Sequence, residues 1–177
     1  MLSLSSIAGW EDGVLASIAG AHGTMDERDV QIERSGLYGE YPAILHSYLE
    51  LFADAPSSLE ALKRAVFLLW RAAMASPADS GIAPLPDSAI RVVIDELDAL
   101  VRRNGADAEL RAMLGWYHAR SPFLLELYGA SEQVLRMARD SGEDAWRRAP
   151  ITPGGMSGRG QMGRYWSELA ISASSDG

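Results

Sequence analysis

The chain has 177 residues, a length that suits one domain, and 47% of them are hydrophobic, enough to build a proper core. Its formal net charge of -8 disfavours non-specific attachment to nucleic acid or to an anionic membrane. It contains no cysteine, which excludes disulfides, thiol catalysis and Cys-ligated metal and suits a reducing cytoplasm.

The N-terminal stretch MLSLSSIAGWEDG has no positively charged start, and Glu11 and Asp12 interrupt its apolar run, so it does not read as a signal peptide. Ile7, Trp10, Val14, Leu15 and Ile18 recur at near-helical spacing. Gly9, Gly13 and Gly20 weaken that pattern, each by about 1 kcal/mol relative to Ala. Thr24 and Glu27 have the form of a capping box opening a short polar helix to Arg34. A helix over 41–53 follows, with Pro42 in its first turn and Ile44, Tyr48, Leu51 and Phe52 on its buried face.

The most apolar segment is 57–75, SSLEALKRAVFLLWRAAMA. Ser57 and Glu60 read as a second capping box, and Leu59, Leu62, Val66, Leu69, Trp70 and Ala73 share one face. From Ala65 onward this helix is apolar nearly all round, so it is expected to be covered on several sides. The longest uninterrupted apolar run, 65–70, is far too short to span a bilayer. Residues 77–86, with three prolines, read as a loop. Asp87 then caps a helix to Asn104, with Gly105 as its terminator, and Asp107 caps the next, with Leu110, Met113, Leu114 and Tyr117 inward. Ser121 and Pro122 interrupt that helix. Residues 123–129 form another turn or two, and 131–149 are helical with a break at Gly142. The expected organisation is a helical domain over 1–149 and a Gly/Arg-rich tail over 150–177, with a short docking helix at 164–171. No stretch alternates with period two, so no sheet is expected.

RAVFLLWRA from Arg64 and RAMLGWYHA from Arg111 align at an offset of 47 positions, with Leu68 opposite Gly115. A period of this length is that of helical-hairpin repeats of the HEAT or armadillo kind. The expected fold is therefore all-α, a single-domain array of antiparallel helical hairpins, HEAT-like or an irregular bundle.

Gly158, Gly160 and Gly163 spell G-x-G-x-x-G, the dinucleotide-binding pattern. That motif needs a strand before it and a strand–helix–strand unit around it, and neither is available here. Gly155 and Gly160 match the glycines of a phosphate-binding loop, but Gln161 and Met162 stand where its Lys and Ser/Thr belong. Arg147, Arg148, Arg159 and Arg164 make the tail locally basic, which suits docking onto the acidic body better than nucleic acid. His46 and Glu50 are one turn apart, without the further ligands a metal site needs. No metal and no cofactor are expected. The residues point to a non-catalytic bacterial protein–protein interaction module, in the manner of an inhibitor or immunity protein for a basic partner. The alternative is a small-molecule-binding or enzymatic helical protein. Its aromatic-lined site would lie between helices at Trp70, Tyr117 and His118, with Arg64 or Arg111 as polar anchors.

Overall fold

A computed structural model describes residues 1–148 and 151–175. The fold is all-α; among the described residues every regular element is helical. Twelve α-helices follow one another among the described residues: α1 Leu4–Ala19, α2 Met25–Arg34, α3 Glu40–Glu50, α4 Ser58–Met74, α5 Pro77–Ser80, α6 Asp87–Arg102, α7 Ala108–Arg120, α8 Leu124–Leu127, α9 Glu132–Ser141, α10 Ala145–Arg148, α11 Pro153–Met156 and α12 Gly160–Ser175. Two 3-10 turns, Leu37–Gly39 and Leu51–Ala53, flank α3. No described helix is long and apolar enough to cross a membrane.

Local chemistry sets most of these boundaries. The Thr24 hydroxyl accepts from the Glu27 amide while the Glu27 carboxylate accepts from the Thr24 amide, a complete capping box. The Asp107 carboxylate accepts from the Leu110 amide and opens α7. Ser57 does not cap α4: it is already helical in backbone conformation, and the Glu60 carboxylate is drawn to arginines instead. Asp87 is the first residue of α6 rather than its cap. At the other end of α6 the left-handed residue is Asn104, at φ 56°, ahead of Gly105. Asn tolerates that conformation because its short amide can bond locally. The proline-rich stretch after α4 also holds a helical turn, α5, entered through Pro77.

Helix α4 is the hub. Every residue from Ala61 to Trp70 is buried, including Lys63 and Arg64. Helices α3 and α6 lie against it, α1 packs on α3, and α12 packs on both α1 and α4. Helix α7 packs chiefly on α9, with α10 closing the same face. The α7–α9 approach depends on Gly115: a Cβ there would stand 2.4 Å from the Gly142 carbonyl oxygen. The smallness of this residue is therefore a packing requirement.

The boundary expected at 149/150 lies outside the described residues. Beyond it, the helix expected over 164–171 runs over 160–175, starting through two glycines. Intrinsic propensity argues against that start, but packing demands it. A Cβ on Gly163 would lie 2.2 Å from the Met156 carbonyl oxygen, and one on Gly160 would lie 2.7 Å from a Glu11 carboxylate oxygen. Trp166, with no exposed surface, is the largest fully buried side chain described.

Candidate functional site

The residues expected to line an aromatic site do not converge on an open one. Trp70 and Tyr117 stack at 4.7 Å between ring centroids. Around them Phe67, Tyr165 and Trp166 close the cluster, and the Tyr117 hydroxyl accepts from the Trp166 indole at 3.1 Å. The space left beside Trp70 and Tyr117 is about 10 Å³, roughly one water. Arg64 points elsewhere: its Nε donates to Glu60 at 2.7 Å and its Nη1 to the Leu4 carbonyl at 3.0 Å. Arg111 is exposed and donates to the Ala106 carbonyl at 3.0 Å. His118 is half-buried next to Tyr117, with its Nδ1 shielded and without a hydrogen-bond partner among the described residues.

A charged node joins α4, α7 and the segment before α12. Arg159 spans two carboxylates, donating from Nε to Glu60 at 2.7 Å and from Nη1 and Nη2 to Glu109 at 3.0 and 2.6 Å. A second bond from Nη2 reaches Glu60. Lys63 donates to Asp107 at 2.6 Å and to Glu109 at 2.8 Å. Burial works to raise the Glu109 pKa, but the hydrogen bonds from Arg159 and Lys63 outweigh it and hold the carboxyl below its ordinary range. Burial likewise opposes the Arg159 charge, and its two carboxylate partners more than restore it. The node is internally satisfied and therefore structural.

The glycine pattern does open a helix over an acid, but that acid belongs to the chain. Glu11, 1% exposed, accepts from the Gln161 amide at 2.8 Å at the start of α12, and from the Tyr48 hydroxyl. Gln161 in turn donates to the Tyr41 hydroxyl and to the Ser80 carbonyl, at 3.0 Å. Burial pushes the Glu11 carboxyl up to about 7, against partial relief from the bonds of Tyr48 and Gln161. The position where a dinucleotide phosphate would sit in that motif is thus filled by a side chain of α1.

Two of the features open to solvent carry distinctive chemistry. A cleft of about 310 Å³ lies among α1, α2, α12 and the end of α4, with Arg28, Arg71 and Arg164 on its walls. On another part of the surface, Phe123 and Leu127 are 77% and 78% exposed. They stand one turn apart at α8, where Leu124 and Leu125 between them turn into the core. His46 and Glu50 form an exposed pair at 3.9 Å, and no group of metal-ligating side chains occurs among the described residues. The sequence carried no sign of the arginine cleft, because its walls come from distant segments. Ser121, Pro122 and the apolar run FLLELYG did mark α8, though not which of its hydrophobes face outward. The chain matches no protein-family model, no curated protein and no solved structure.

Proposed function

We propose that the protein is a non-catalytic recognition module that binds a basic protein partner, in the manner of an inhibitor or immunity protein of a bacterial cytoplasm. The observation that carries the reading is the exposed Phe123–Leu127 pair. Two large side chains held in water on a short, anchored helix cost solvation that a partner surface would recover, about 1.5–3 kcal/mol for each on full burial. A net charge of -8 would steer a basic partner toward the molecule. The filled aromatic cluster supports the same reading, since it leaves only a water-sized space at Trp70 and Tyr117.

The test compares immobilised wild-type protein with the double variant Phe123→Ser/Leu127→Ser in capture from a bacterial lysate. The expected result is a basic protein held by the wild type, released by salt, and lost from a double variant whose helical content is unchanged. Equal retention by the two proteins, or no retained protein at all, overturns the proposal.

A further inference from the structure

The cleft of about 310 Å³ is separate from the Phe123–Leu127 face and has its own chemistry. Leu15, Ile18 and Ala19 of α1 give it an apolar wall. Arg28 enters from α2 and Arg71 from the last turn of α4. The Nε atoms of both are sealed from solvent and have no hydrogen-bond partner among the described residues. Neither guanidinium has a carboxylate within ion-pair distance among those residues, although Arg164 beside them pairs with Asp12 at 3.0 Å. Each guanidinium has lost water at Nε without gaining an acceptor there, which is costly, and its half-exposed Nη groups make no hydrogen bond among the described residues. An oxyanion is the acceptor that matches their planar forks.

The Arg71 group is also held in place. Its guanidinium carbon lies 5.8 Å from the centre of the Tyr165 ring, and the Tyr165 hydroxyl accepts from the Trp116 indole at 2.8 Å, which fixes that ring. Asp79 and Glu168 also line the cleft. They would repel an extended polyanion but accept hydrogen bonds from hydroxyl or amine groups. The volume falls at the lower end of ordinary small-ligand sites. From this arrangement we infer that the cleft binds a small molecule with a phosphate or carboxylate head on Arg28 and Arg71 and a hydroxyl or amine facing Asp79 and Glu168.

The test is a titration of the whole protein, followed through the arginine Nε–H signals in NMR, with inorganic phosphate in one arm and succinate in another. Ionic strength is held constant with chloride, and a chloride-only arm serves as reference. A saturable shift of the Arg28 and Arg71 signals is expected, with the tighter arm identifying the head group. Arg28→Gln or Arg71→Gln should weaken binding roughly tenfold or more, the loss of a charge-assisted hydrogen bond. Arg71→Lys should restore only part of it, because an ammonium lacks the fork, and Arg139→Gln outside the cleft should change nothing. If Arg71→Gln disturbs the fold, Arg28→Gln on the peripheral α2 decides alone. Shifts that fail to saturate in both arms, that match the chloride reference, or that persist unchanged in Arg28→Gln overturn the inference.

Discussion

The two ends of α4 meet the same neighbours by opposite means. Near its start, Glu60 and Lys63 reach α7 and the segment before α12 through Arg159, Asp107 and Glu109. Near its end, Phe67 and Trp70 reach α7 through Tyr117 and α12 itself through Tyr165. The rings are held chiefly by the hydrophobic effect, which is non-directional and scales with the apolar area they bury. Ion pairs must first recover the cost of desolvating both partners, so they add less net stability but tolerate only one alignment. The aromatic end therefore holds α12 down, and the charged end fixes where along α4 it sits.

The sharpest way to break that comparison is Trp166→Ala. It should cost about 3–5 kcal/mol in a denaturant titration, as expected for an indole removed from a closed core. A loss below that of Arg159→Met would invert the assignment. Next in size is the pH response of Glu11. Its folded pKa of about 7 lies above the ordinary 4.5, so ionisation disfavours the folded state. Its contribution to folding is greatest below pH 4.5, falls as pH rises from there to about 7, and is level above. That fall is on the order of 3 kcal/mol. Stability curves measured for wild type and Glu11→Gln should therefore diverge across this window, and parallel curves would refute the raised pKa. The smallest effect is that of Arg159→Met, about 2 kcal/mol, because Glu60 keeps Arg64 and Glu109 keeps Lys63. Calorimetry in rising salt should show the wild-type advantage shrink, whereas the Trp166→Ala deficit should stay.

What could be read in advance was what is local. Thr24 with Glu27, and Asp107 before α7, act within one turn, so their spacing alone announces them. The hub helix was legible from apolar residues on all sides of 65–70. Gly115, aligned with Leu68 in the sequence, owes its smallness to the close approach of the end of α9, which the alignment did not show. Ser57 and Glu60 have the same local form as Thr24 and Glu27, yet Glu60 answers Arg159, which is 99 positions away in sequence. No window along the chain contains both. The start of α12 was hidden for a related reason: Gly160 and Gly163 weaken a helix in isolation, and only Glu11 and Met156 show why nothing larger fits. The arginine cleft likewise exists only once α1, α2, α4 and α12 have been brought together.

Lys63 carries one more consequence. Among the sixteen Lys and Arg residues it is the one lysine, and it lies buried behind Asp107 and Glu109. Acylation at Lys63, isopeptide formation there and cleavage by a lysine-specific protease all need that side-chain amine, and the native fold withholds it. Its rate of modification therefore serves as an internal clock, advancing only when α4 and α7 part.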